Sequence, residues 1–171
     1  MTRPTIEIDI DAVWTQDTDW ETLAVEAARA AAAVAPELAD EDMLVSVVLA
    51  TDGDVHDLNR QWRAKDAPTN VLSFPMLSRE EVLRASNHRG DPVMLGDVIL
   101  AHETCAHEAE AKGVSLSDHV SHLLVHGLLH LAGHDHAENL QADAMEALEI
   151  DALARLSIDD PYTAKEDTRG R

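Results

Sequence analysis

The sequence predicts a single α+β domain, a small four-stranded mixed sheet packed with about five helices. Three observations carry this expectation. Short apolar runs at 6–10, 43–50, 71–74 and 93–100 have strand character. Segments of helical character, bounded by capping and breaking residues, separate and follow them. The 171 residues, 45% apolar with 7 Gly and 6 Pro, suit one domain with a sizeable core.

Ile6, Ile8 and Ile10 alternate with polar residues, as in a half-buried strand. Thr18-Asp19-Trp20-Glu21 reads as a capping box opening an Ala-rich helix to about Val34, which Pro36 stops. After the solvated turn Asp40-Glu41-Asp42, Met43 to Ala50 forms a more continuously apolar strand. Thr51 or Asp52 caps a short helix through Trp62. Lys65 to Asn70 is a loop, because Pro68 disfavours helix at the residue before it. Val71 to Phe74 is the third strand, closed by Pro75. Residues 77–92 read as a polar surface excursion with a helical turn at Glu80 to Ala85. Val93 to Leu100 is the fourth strand, its pattern interrupted by Gly96-Asp97. A helix from near Glu103 ends at Lys112-Gly113, and Ser117 is the expected cap of a Leu-rich helix to about Leu131. Glu138 to Leu156 is a final amphipathic helix. The domain is expected to span 1–158, leaving 159–171 as a polar, disordered tail. Trp20 and Trp62 are expected in the core, and Cys105 as a small buried hydrophobe.

The segment His126-Gly-Leu-Leu-His130-Leu-Ala-Gly133-His134-Asp135-His136 concentrates the chemistry. Four residues apart on a helix, His126 and His130 share a face and can share one metal ion. A third ligand cannot come from the next turn back: His122 and His130 are about 12 Å apart along the helix. The chain has to turn, and Gly133 permits it, bringing His136 to cage spacing. This predicts a three-His metal site at the end of a central helix. The spacing matches that of metzincin proteases, whose general-base Glu follows the first histidine; here Gly127 stands at that position. The simplest alternative is a set of core or surface histidines, but three buried imidazoles in a Leu-rich segment would each need a hydrogen-bond partner. His119 and His122 are expected to fill space or contact solvent.

Composition narrows the setting. No apolar run is long enough to span a bilayer, and Met1 to Glu7 lacks an apolar signal core. The single cysteine excludes an internal disulfide and a Cys-based metal site. A soluble cytoplasmic protein is expected. The net charge of −20 should repel nucleic acid at long range. Six of the 13 basic residues (Arg60, Arg63, Lys65, Arg79, Arg84, Arg89) nevertheless fall between 60 and 89.

Three blocks together resemble the YbeY-type endoribonucleases: Leu58 to Pro75 (LNRQWRAKDAPTNVLSFP), Leu95-Gly96-Asp97-Val98, and His126 to His136. The resemblance covers roughly residues 43–150. It implies a metal-dependent single-strand endoribonuclease acting in rRNA processing (16S 3′-end maturation) and ribosome quality control. The implied metal ligands are His126, His130 and His136, with one Zn2+ per chain or another divalent ion such as Ni2+. The implied catalytic residues are Arg63 and His126. Arg63 matches the family's functional arginine, and a guanidinium can fork onto a phosphate as Lys65 cannot. Implied partners are rRNA and the small ribosomal subunit, with ribosomal proteins or an assembly GTPase, and neither membrane nor DNA. His134 stands where the family has Tyr and is a competing third ligand; Asp135 or Asp97 are candidates to orient a ligand imidazole. A hydroxide or the RNA 2′-hydroxyl could be the nucleophile. Two rivals remain: a metallopeptidase using Glu103 or Glu108 as base, and a non-catalytic, metal-stapled ribosome-assembly module.

Overall fold

Strands β1 (Thr5–Ile10), β2 (Met43–Ala50), β3 (Val71–Pro75) and β4 (Val93–Ala101) form one sheet in the order β1-β2-β4-β3. The computed structural model describes residues 2–14, 17–63, 69–87, 92–134 and 139–162, except for the side chains of Arg63 and Asn139. β1 and β2 pair in parallel, as do β2 and β4, whereas β3 runs antiparallel to β4, so the sheet is mixed as expected. Around it lie α1 (Trp20–Val34), a 3-10 turn (Pro36–Leu38), α2 (Asp52–Arg63), α3 (Arg79–Asn87), α4 (His102–Lys112), α5 (Leu116–Leu131) and α6 (Asn139–Arg155).

The two faces of the sheet are covered unequally. Val45, Val47 and Leu49 of β2 and Val98 and Leu100 of β4 join the main core with α1, α5 and α6. The alternate residues Ala50, Ile99, Ala101 and Leu72 form a smaller cluster with Val55 of α2, and Val48, Leu58 and Phe74 pack on it. α2 and α5 therefore occupy opposite faces. Gly96 explains the break in the β4 pattern: the β2–β4 register shifts between Leu44 and Val45, leaving Leu95 as an extra residue. Gly96 has φ 148°, and a Cβ there would lie 2.2 Å from the Phe74 carbonyl oxygen and 2.9 Å from Leu131 Cδ2. The bulge thus seats the end of α5 against the sheet.

Several local expectations shift. α1 is capped by Asp19 rather than Thr18: its carboxylate accepts from the Thr22 N–H (3.1 Å) and hydroxyl (2.7 Å), a stronger acceptor one residue later. Ser115, not Ser117, caps α5, accepting from Asp118 N–H at 3.1 Å while its own backbone is extended. Thr51 does cap α2, through Asp54 N–H at 3.1 Å, while Asp52 reaches across to Thr104 of α4. The excursion contains a full helix, α3, because Ser78 and Glu81 form a capping box (2.9 and 3.2 Å) and Val82 is buried. This raises the count to six α-helices among the described residues. Trp20 and Cys105 are buried as expected, but Trp62 is 71% exposed: it lies in the last turn of α2, beyond the small cluster that the helix covers. No helix among the described residues is long and apolar enough to cross a membrane.

Candidate metal centre

α5 is apolar nearly all round and buried as such, with Val120, Leu124, Val125, Leu128, Leu129 and Leu131 at most 1% exposed. Its close approach to the sheet is set by Gly127, where a Cβ would sit 2.9 Å from Val98 Cγ1 and 3.2 Å from Ser73 Oγ. The position that carries the general base in metzincins is therefore a packing point against the strands, with no room for a glutamate. Ser73 lies beneath α5 as part of that contact.

His126 and His130 stand together on the partly exposed side of α5, their ring centroids 4.8 Å apart and their planes at 77°. The His126 ring is oriented by a residue from another helix. Its Nδ1 lies 3.0 Å from Glu149 Oε2 of α6. Glu149 is 1% exposed, and its other oxygen takes His122 Nε2 at 2.9 Å and the Tyr162 hydroxyl at 2.7 Å. Burial works against the carboxylate charge, yet the hydrogen bonds from His122 and His126 hold its acidity near a pKa of about 2. An anionic Glu149 accepting from Nδ1–H fixes the tautomer with Nε2 free of that bond, the arrangement metal-ligating imidazoles use. The pair accordingly fits a divalent transition metal.

The chain after α5 turns as Gly133 predicts. Gly133 N–H bonds the His130 carbonyl (2.9 Å) and His134 N–H the Leu129 carbonyl (3.0 Å), with φ 98° at Gly133. These are the two bonds of a Schellman ending. His136 and Asp135 lie outside the described residues, as do Lys65 and Asp66; among the described residues no three potential ligands converge. His134 is described, with its Nε2 3.1 Å from Glu37 Oε2. The backbone of Arg63 ends α2, on the opposite face from α5, and the connection at 64–68 is outside the described residues.

His119 and His122 fill space, one of the two expectations for them, and add carboxylate bonds that neither expectation included. Both are buried and bonded to carboxylates, His122 to Glu149 and His119 to Glu108 at 2.8 Å. Burial lowers the His119 pKa, and the Glu108 hydrogen bond opposes this. Glu108 also accepts from Asn70 Nδ2 at 3.0 Å, so Asn70 ties the start of β3 to α4. Glu103 accepts from Asp52 N–H at 3.3 Å at the start of α2. The two carboxylates proposed as peptidase bases are thus committed to structural hydrogen bonds. Among the described residues the carboxylate that reaches His126 is Glu149, not Asp97; it shares one stripe of α6 with the buried Met145, Ala152 and Leu153. An acid on an apolar stripe was the signal for it in the sequence. Tyr162, inside the segment expected to be a tail, adds its hydroxyl to the same carboxylate.

A family model described as endoribonuclease YbeY matches residues 7–157. A protein of that name from Novosphingobium aromaticivorans is 61% identical over 97% of this chain and 100% of its own length. Another from Erythrobacter litoralis is 55% identical over 92% of this chain and 96% of its own. A solution structure of a Thermotoga maritima protein superposes with a TM-score of 0.56 at 19% identity, covering 90% of this chain and 92% of that one, a likeness of fold.

Proposed function

This chain belongs to the endoribonuclease YbeY family, and from that premise we propose that it cuts single-stranded RNA internally at a metal centre on α5, in rRNA processing (16S 3′-end maturation) and ribosome quality control. The observation that carries the site reading is the buried Glu149 carboxylate on His126 Nδ1. His126 and His130, with His136 arriving after the Gly133 turn, would hold one Zn2+ per chain, or another divalent ion such as Ni2+. The metal would supply Lewis-acid polarisation of a phosphate and a more acidic water. Glu149 holds the His126 ring in one tautomer and orientation, and α5, wedged against the strands at Gly127, keeps both rings in register. Arg63 would fork onto the scissile phosphate and stabilise the charge that grows on its oxygens.

With a net charge of −20, the protein is expected to bind naked RNA weakly. The small ribosomal subunit, with ribosomal proteins or an assembly GTPase, would then present the rRNA, in the cytoplasm. Incubation with a single-stranded RNA carrying the 16S 3′ region tests this. Internal cleavage that a chelator abolishes and added Zn2+ restores is the expected result. Cleavage insensitive to chelation, or stepwise trimming from an end, would overturn it.

A further inference from the structure

The turn that ends α5 is held from outside by two residues far apart in sequence, Glu37 and Arg79. Arg79, the first residue of α3, donates through Nη1 to Glu37 Oε2 and, at 2.8 Å, to the Ala132 carbonyl at the C-terminal end of α5. Its aliphatic stem lies directly under Gly133, where a Cβ would meet Arg79 Cβ and Cδ at 2.8 Å. The same Glu37 oxygen takes His134 Nε2 at 3.1 Å, and the Glu37 side chain is 9% exposed. The last turn of α5, which carries His130, is therefore pinned at the 132 carbonyl, at Gly133 and at the 134 imidazole.

We propose that Glu37 and Arg79 are positioning residues for the metal centre, and that His134 serves as a strut in this clamp and not as a ligand. A carboxylate on a histidine nitrogen would by itself suit a metal ligand. Here, though, the carboxylate oxygen that holds His134 also holds a guanidinium. The guanidinium already compensates the charge of Glu37, so the carboxylate lends little net attraction to a divalent ion on the other nitrogen of His134. His126 differs: its carboxylate is shared with His122 and Tyr162 and with no arginine among the described residues. The clamp gives α3 and the 3-10 turn a purpose in the site. They fix where the chain leaves α5, so that binding a metal there does not first have to order that turn.

This proposal rests on His126 and His130 forming the metal site, and the test separates the two. Zn2+ affinity is measured by competition with a chromophoric chelator for the wild type, R79A, E37Q, H134F and H130A, with thermal melting of each metal-free protein alongside. R79A and E37Q are expected to bind Zn2+ about 10–100-fold more weakly. H134F is expected to keep one Zn2+ per chain. Unchanged Zn2+ affinity in E37Q or in a folded R79A, whatever the melting temperature, would reduce the clamp to a structural contact and overturn the proposal. If R79A does not fold, E37Q, which keeps the side-chain volume, decides the question. Loss of Zn2+ in H134F would make His134 a ligand and overturn the strut. Zn2+ retained by H130A would instead refute the site itself.

Discussion

Gly127→Ala tests how closely α5 lies on the sheet, independently of any metal. The new Cβ would come 2.9 Å from Val98 Cγ1 and 3.2 Å from both Ser73 Oγ and Val98 Cγ2. Carbon atoms pack best at roughly 3.5–4.0 Å, so α5 or β4 has to yield. Overpacking of this kind costs about 1–3 kcal/mol. Alanine returns about 0.8–1 kcal/mol in helix propensity relative to glycine. The net expectation is destabilisation by about 1 kcal/mol, which in a domain of this size lowers Tm by about 2–4 °C. Thermal unfolding of the metal-free protein, followed by circular dichroism, reads it. A rise in Tm would mean that the helix has room at this point and would refute the packing argument. Gly127→Glu goes further by restoring the acid found in metzincins, and the larger side chain is expected to disrupt α5 packing without yielding peptidase activity. Casein hydrolysis by that variant would contradict the account.

Other predictions follow from the same contacts. Glu149→Gln keeps the shape of the buried acceptor but removes its charge, and Zn2+ affinity in chelator competition should fall about 10–100-fold; unchanged affinity would separate Glu149 from the metal. Arg63→Ala should leave metal content and Tm unchanged and reduce RNA cleavage by at least about tenfold, within the charge-stabilising range of such groups; full activity would remove Arg63 from the mechanism. Burial raises the Glu37 carboxyl, but hydrogen bonds from His134 and Arg79 prevail and hold it at about 2, against an ordinary value of 4.5. Because the folded-state value is the lower one, this stabilisation is present above pH 4.5 and is lost as pH falls towards 2. Chemical denaturation across that window should show a shallower acid loss in Glu37→Gln than in the wild type, and identical slopes would refute the coupling.

The parts of the molecule legible in the sequence were those written in local pattern. The four strands, the Ala-rich and Leu-rich helices and the Schellman ending at Gly133 each depend on neighbours within a few residues. Caps slipped by one or two positions because Thr18, Asp19, Ser115 and Ser117 are all competent cappers, and the choice belongs to the approach of the preceding chain. Trp62 was misplaced because hydrophobicity does not reveal where a covered face ends. The carboxylates were harder. Glu149 reaches His126 across 23 residues and Glu37 reaches His134 across 97, and nothing in the spacing of either acid announces its partner. Gly127 carried two meanings, a missing base and a close contact, and the second became visible only once Val98 and Ser73 were placed beneath it.

Metal content and RNA cleavage measured together on the wild type and His130→Ala test the central claim most directly. About one metal ion per chain in the wild type, lost in the variant together with cleavage while the fold persists, is the predicted result. Metal lost with cleavage undiminished would place the nuclease chemistry elsewhere and leave the histidines of α5 with another role.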